Sequence, residues 1–206
     1  MPTYLGVPVL NPPTVTANGH TIVPRTFEWA AGDIAAVVTN PFNDSQQIQY
    51  WAAGAREAAI TFQSMSNAPA LAFVAWLESL QGVTNLFQLG DPLNIATQGT
   101  ITGTYAVSGA NQSGFSLVTS GGSGLQVGDW IQVNVPGMSI GYLYRVISVS
   151  GGTLGIYPSL RVSPSNSATI IVANTQGLWR LKTNQRKWSV KETKMYGITL
   201  DCREAF

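Results

Sequence analysis

Alternating apolar and polar positions recur along most of this chain, and they predict short β-strands joined by turns. In the first third, we expect four strands, at 25–29, 35–39, 46–51 and 58–62. The Asn, Pro and Asp residues of 40–44 predict a turn between the second and third of these strands. In the C-terminal stretch, three more strands are predicted, at 178–181, 188–192 and 195–203.

The middle of the chain differs from the rest in composition, because residues 99–175 contain only three charged residues and are rich in Gly, Ser, Thr and Val. Short apolar segments alternate there with turns such as 121–124 and 151–152. This rhythm is typical of a small barrel or sandwich. The predicted strands are 104–108, 114–118, 129–135, 142–149, 153–157 and 168–173.

A helical pattern occurs at 69–81 and predicts the clearest helix of the chain. Pro69 suits a first helical turn, and Gly82 follows as a stop signal. The apolar residues recur at a spacing of three, with two aromatic residues beside them: Leu71, Val74, Leu77 and Leu80, flanked by Phe73 and Trp76. We expect this stripe to face the core.

These elements predict a mainly β protein with an insertion. Residues 1–98, which contain the helix and a strand at 84–89, and residues 176–206 are expected to form one β-domain, while 99–175 form an inserted β-module. The prolines of segment 1–24 exclude a helix there and predict an extended N-terminal segment. That segment packs either on a neighbouring subunit or on its own chain.

Charge is sparse and unevenly placed. Charged residues make up 10% of the chain, against about 25% in typical soluble domains, which favours a surface covered by neighbours. Residues 1–98 carry two basic and six acidic residues, whereas 176–206 carry seven basic and three acidic ones. The two ends are expected to attract each other within a subunit or across a head-to-tail contact. The basic residues that we predict at such a contact are Arg180, Lys182, Arg186, Lys187, Lys191 and Lys194.

The residues do not predict a catalytic, metal or cofactor site. The sequence has one histidine, His20, and one cysteine, Cys202, so it lacks the clusters that a nucleophilic triad or a metal centre needs. A glycosidase would need paired carboxylates, but the candidates lie beside turn signals or strand ends that explain them more simply. These candidates are Asp33, Asp44, Glu57 and Asp91. We therefore expect a protein that is not an enzyme and has no cofactor.

Aromatic residues of the inserted module allow two interpretations. Trp130, Tyr142 and Tyr144 either line a surface on which a sugar or base stacks, or form the core of the module. No run of about 20 apolar residues predicts a membrane span, and the Pro-rich start does not resemble a signal peptide. We expect the protein to act in the cytoplasm or in a particle assembled there.

Several segments resemble the distal tail and minor tail proteins of long-tailed bacteriophages. WLESLQG at 76–82 and NLFQLGDP at 85–92 look like the helix and following strand of that family. The inserted part is similar to a module of such proteins, at 107–114, 125–131, 143–146 and 156–161. YGITL at 196–200 matches the family's closing strand, so that the resemblance spans roughly residues 26–206.

The resemblance implies a structural role at the tail tip. It implies a β-sandwich with one packed helix that forms a homo-oligomeric ring, commonly six-fold, and an inserted barrel like those that bind oligonucleotides or oligosaccharides. Such a ring joins the tail tube to the tail-tip hub and fibres of the virion, and DNA only passes through its lumen. Some related proteins bind an iron–sulfur cluster, but the single Cys202 cannot supply the usual ligands.

Two other functions stay open at this point. The chain is alternatively a carbohydrate-binding module for host attachment, which requires aromatic residues of the inserted barrel in an exposed groove. It is otherwise a tail-tube, terminator or connector subunit, for which a ring is expected as well.

Overall fold

The computed structural model describes residues 2–13, 16–17, 20–21, 24–192 and 194–206. Within them lies the helix α1 (Asn67–Ser79). The strands that precede it are β1 (Thr3–Tyr4), β2 (Val7–Pro8), β3 (Thr16–Ala17), β4 (His20–Thr21), β5 (Pro24–Thr39) and β6 (Gln46–Phe62). The strands that follow it are β7 (Phe87–Leu89), β8 (Ala106–Val107), β9 (Ser116–Ser120), β10 (Trp130–Asn134), β11 (Gly141–Ser150), β12 (Thr153–Tyr157), β13 (Ile170–Ile171), β14 (Gly177–Leu181), β15 (Trp188–Val190) and β16 (Tyr196–Glu204). The expected mainly β class is confirmed.

The first and last parts of the chain share one sheet, in which the strand order is β5-β6-β16-β14-β7 and β15 pairs with β16. Strand β16 has one buried and one exposed face, because successive side chains point to opposite sides of the sheet. Ile198, Leu200 and Cys202 are buried, whereas residues 199, 201 and 203 are exposed. Helix α1 packs on the buried face, where Leu77 and Phe73 join the same apolar cluster. The opposite face of the sheet carries polar and charged side chains.

The helix begins two residues earlier than predicted, and of its predicted apolar stripe Val74, Leu77 and Leu80 are buried but Leu71 is not. Ala70, Phe73, Val74 and Leu77 are buried, whereas Leu71 is 51% exposed. The expectation that Leu71 faces the core is therefore wrong. The physical reason is the helical repeat of 3.6 residues, which places i, i+3, i+4 and i+7 on one face, while a strict spacing of three drifts around the helix.

Residues 99–175 contain a second sheet, ordered β13-β10-β11-β12-β9-β8, which curls into a barrel. Its two end strands approach each other, since the Val107 N–H donates to the Ala168 carbonyl (2.9 Å) and the Ile170 N–H to the Tyr105 carbonyl (2.9 Å). The barrel interior is apolar and includes Leu117, Ile131, Val133, Tyr142, Tyr144, Val146, Leu154 and Ile156. The outer side of β10 to β12 packs on the first sheet, and a side chain at Gly177 would approach Leu143.

The strands of residues 99–175 pair only with one another, as the predicted insertion requires. Side-chain packing, however, joins these residues to the rest of the chain. Tyr4, Leu86, Leu178 and Ala205 belong to the apolar cluster of the barrel, although they lie outside residues 99–175. The division into two domains at those boundaries stays a prediction, because the two parts share a core.

The N-terminal segment packs on its own chain over residues 2–10. The Tyr4 and Tyr142 hydroxyls form a hydrogen bond, and Leu10 donates its N–H to the Leu86 carbonyl (2.6 Å). Of the two arrangements predicted for the segment 1–24, this is the one on the same chain. Residues 14, 15, 18, 19, 22 and 23 lie outside the described residues.

The first predicted strands are longer and fewer than expected. Residues 24–39 and 46–62 form one long antiparallel pair, so the expectation of four strands is wrong. The chain does not turn between residues 29 and 35; instead, a β-bulge between Gly32 and Ile34 shifts the register and lets the strands continue. The predicted turn at 40–44 does close this hairpin, since the Asp44 N–H donates to the Asn40 carbonyl (2.9 Å).

Candidate functional site

The distal half of the β5–β6 hairpin extends beyond the sheet, and we call residues 34–51 the arm. All of its residues are exposed, whereas β16 pairs with β6 only over residues 57–61. Six residues of strand on each side span about 20 Å, at roughly 3.3 Å per residue. The arm is thus a two-stranded ribbon whose residues contact little of the remaining chain.

Both faces of the arm expose apolar side chains, next to the polar Gln46, Gln47 and Gln49. Val37 lies opposite Ile48, and successive side chains alternate between the faces, so the neighbouring Val38 lies on the other face. Phe42 is 95% exposed in the turn. Asp44 is the only charged residue of the arm. Exposed apolar patches of this kind mark contact surfaces.

The base of the arm is fixed to the barrel. Asp33 Oδ1 accepts hydrogen bonds from the Tyr157 hydroxyl (2.8 Å) and the Tyr50 hydroxyl (3.3 Å), and Arg161 donates to the Gly54 carbonyl. Burial, together with the hydrogen bond and charge of Asp33, raises the pKa of Tyr157 to about 12. These contacts hold the direction in which the arm leaves the body.

Strand β5 is an edge strand. Among the described residues, no strand pairs with its outer side, which leaves alternate backbone N–H and C=O groups available. At the other end of the sheet, residues 8–11 lie along the outer side of the three-residue strand β7, and β15 leaves Trp188 and Val190 exposed. The two edges differ in length and chemistry, so a contact between them in two copies would be head-to-tail.

The predicted basic contact residues fall into three groups. Lys182 pairs with Glu57 on the same sheet (Nζ to Oε2, 2.7 Å). Arg186 donates to the Glu78 carbonyl at the C-terminus of α1 (3.0 Å). Arg180 lies opposite Arg203 in the register of β14 and β16. The remaining residues of the set, Lys187, Lys191 and Lys194, are exposed, as Lys182 and Arg186 are. The attraction between chain ends occurs within the chain at Lys182, and an inter-subunit role for the set stays a prediction.

A groove of about 460 Å³ lies beside these basic residues. Its walls combine the positive side chains of Arg186 and Lys187 with the rings and methyl groups of Trp188, Leu77 and Leu181. Asp201 also lines the groove, which therefore combines apolar side chains with two positive charges and one carboxylate. Such a lining suits a segment that is mainly apolar.

The surface predicted for Trp130, Tyr142 and Tyr144 is not present. Tyr142 and Tyr144 lie inside the barrel, and Trp130 is covered where the barrel meets the sheet. Burial raises the pKa of both tyrosines far above the usual value. The sequence interpretation as a stacking platform is wrong for these rings, because a small barrel needs large side chains to fill its interior.

The sequence did not point to the charged residues at the junction of sheet and barrel. Arg56 of β6 donates to the Leu143 carbonyl (Nη1, 2.6 Å) and to the Tyr157 carbonyl. Glu204 of β16 lies within 3.8 Å of Arg56 and within 3.3 Å of Arg161. Burial lowers the pKa of Arg56 to about 10. The sequence did contain one indication of these charges at the junction. Arg145 and Arg161 are two of the three charged residues in the otherwise uncharged segment 99–175.

The metal-ligating side chains are dispersed in the described part of the chain. Its His, Cys, Asp and Glu side chains form no group of three that would hold a metal ion. Asp91, a carboxylate considered above, accepts from the Leu93 N–H (3.0 Å) and the Trp130 indole N–H (3.1 Å), as a turn cap does. The side chain of His20 lies outside the described residues. The described helix is too short to span a bilayer.

No protein-family model matches the chain, and a search of curated proteins gives no significant match.

Proposed function

We propose that this chain is a structural subunit of a phage tail tip, which assembles into a ring that joins the tail tube to the hub and fibres. The observation that carries the proposal is the arm, residues 34–51, with apolar side chains exposed on both faces. An isolated two-stranded ribbon is marginally stable in water, so an arm of this composition needs a covering surface.

A second copy of the chain is the best cover for the arm. The groove provides apolar side chains and, with Arg186 and Lys187 against Asp201, an excess of one positive charge, while the arm provides apolar side chains and the single negative charge of Asp44. Because arm and groove are different surfaces, their contact is heterologous, and heterologous contacts close into rings or continue as filaments. The free edge of β5 allows strand pairing to extend the same contact.

The resemblance to distal tail proteins supports the closed ring over the filament and supplies its biological place. The sparse charge of the chain agrees with a surface that neighbouring subunits cover. On this proposal the protein is not an enzyme, and it acts by assembly in the virion.

The test is the solution mass of the chain as its concentration rises, by light scattering, with negative-stain imaging of large species. We expect closed rings from the wild-type chain. The double variant Val37→Lys, Ile48→Lys removes apolar side chains that are 55% and 62% exposed, equivalent to about one complete side chain. Its contact should lose about 2 to 3 kcal/mol, or roughly 30- to 150-fold in affinity.

The control is Val127→Lys, because Val127 is 60% exposed but lies on the barrel, outside the arm. Rings should survive this change. Equal assembly by the arm variant and the control would refute the role of the arm. A second variant that replaces Lys182, Lys187, Lys191 and Lys194 by Gln should weaken assembly without unfolding the chain, and normal assembly would remove these lysines from the contact.

A further inference from the structure

A cleft lies where the barrel meets the first sheet, on the side of the molecule where the arm begins. Its volume is about 260 Å³. Trp29 and Arg56 line it from the sheet, and Trp130, Arg145 and Tyr157 line it from the barrel. Drug-sized ligands occupy sites of about 300 Å³ or more, so this cleft fits a small molecule or one chemical group.

The cleft is positively charged. Two guanidinium groups line it, those of Arg56 and Arg145. Glu204 pairs with Arg56, and also with Arg161, which does not line the cleft. Asp33 accepts its hydrogen bonds from tyrosine hydroxyls. Burying charge without a counter-charge is costly, so the excess of arginine over carboxylate favours an anion in the cleft.

Arg145 is the guanidinium that has no anionic partner. In the part of the chain that the structure describes, it forms no ion pair and no side-chain hydrogen bond, and its Nε is buried without an acceptor. Its contact is with the Trp130 ring, 4.1 Å from the ring centroid. The side chain is therefore held in place but keeps its donors free.

Cross-strand neighbours make this arrangement rigid. Trp130, Arg145 and Tyr157 lie side by side in the register of β10, β11 and β12. Trp130 also contacts the Arg56 guanidinium at 4.8 Å, and its indole N–H donates to Asp91. A binding group whose position is fixed before the ligand arrives loses less entropy on binding.

We propose that this cleft binds an oxyanion, the phosphate or carboxylate group of a small molecule, with Arg145 as its main ligand and Arg56 as the second positive charge. The planar guanidinium matches both groups, because its paired N–H donors reach two oxygens of either. Nη1 and Nη2 of Arg56 already donate to carbonyls, so Arg56 acts chiefly through its charge. Both guanidinium groups lie within 5 Å of the centroid of the Trp130 ring, at 4.8 Å for Arg56 and 4.1 Å for Arg145.

The experiment is calorimetric titration of the full-length chain with inorganic phosphate and, separately, with glucuronate, against sodium chloride at equal ionic strength. We expect saturable binding of at least one probe in the millimolar range or tighter, with no saturable effect of chloride. The probe that binds tighter identifies phosphate or carboxylate as the natural group. No saturable binding of either probe would overturn the proposal.

Two variants of Arg145 and one control make the test specific. Arg145→Gln removes the charge and should weaken binding by roughly 10- to 100-fold. The affinity of Arg145→Lys should lie between those of Arg145→Gln and the wild type, because Lys keeps the charge but lacks the paired N–H donors of the guanidinium group. Arg25→Gln removes an exposed arginine elsewhere and should bind as the wild type. Unchanged binding by a folded Arg145→Gln, checked by circular dichroism, would refute the site. Binding is measured per chain, so this result does not depend on whether rings form.

Discussion

Replacement of Glu204 by Gln tests whether the junction charges hold the barrel on the sheet. The Glu204 side chain is 1% exposed, and its Oε2 accepts from the Arg56 backbone N–H (3.3 Å) and from Arg161 Nη2 (3.3 Å). Gln keeps the shape and one oxygen but removes the negative charge. Arg56 and Arg161 are then left buried with no carboxylate between them.

The expected cost follows from burial. Removing one partner of a buried ion pair destabilises a protein by about 3 to 5 kcal/mol, and we expect about 3 because the Gln oxygen still accepts a hydrogen bond. The same sheet offers a matched control in Glu57, which pairs with Lys182 at 2.7 Å while the two side chains are 36% and 50% exposed. Glu57→Gln should cost no more than about 1 kcal/mol.

Guanidinium-induced unfolding, followed by far-ultraviolet circular dichroism and by tryptophan fluorescence, measures both variants. Trp29 and Trp130 lie at the junction, 5.3 Å apart between ring centroids, so fluorescence also reports separation of barrel and sheet. A free energy of unfolding for Glu204→Gln within about 1 kcal/mol of Glu57→Gln would refute the reasoning, because a buried and an exposed carboxylate would then be equivalent.

Two further predictions concern single side chains. Burial raises the pKa of Cys202 to about 12, so we expect no reaction with a thiol reagent near neutral pH until the chain unfolds, and rapid native labelling would contradict this. Because the unfolded thiol ionises first, this group also lowers stability as pH rises from about 9 towards 12, which alkaline denaturation measures. Arg186→Met removes the hydrogen bond to the Glu78 carbonyl and should cost about 1 kcal/mol in thermal unfolding, whereas the exposed neighbour Lys187→Met should cost less.

Local sequence patterns predicted the barrel strands well. Residues 129–135 and 153–157 were expected as strands, and β10 and β12 occupy 130–134 and 153–157. These segments alternate between a filled interior and an outer face, so the period of two is visible in the sequence. Asp129 directly precedes β10, and its carboxylate accepts the Gln126 N–H (2.8 Å) and the Gln98 N–H (2.9 Å), so it fixes the turn that leads into this strand.

The arm could not be separated from the body by pattern alone. The β-branched residues of the arm show the same pattern as an ordinary buried strand. The alternation of apolar residues indicates a strand, but it does not show whether another part of the protein covers the side chains. Gly32 and Asp33 looked like the end of a strand, although the bulge there lets β5 continue. Burial of Arg56 was equally invisible, since its partners Leu143, Tyr157 and Glu204 lie far away in sequence.

The distribution of the few charged residues connects stability with assembly. Arg56, Arg161 and Glu204 are used inside the molecule, and Lys182 and Glu57 neutralise each other on the sheet. The arm is left with a single charge over eighteen residues, 34–51. Covering the exposed apolar side chains of the arm favours solubility. The charged residues at the junction of sheet and barrel fix the direction in which the arm points. The scarcity of charge on the arm therefore agrees with the proposal that a second copy covers it.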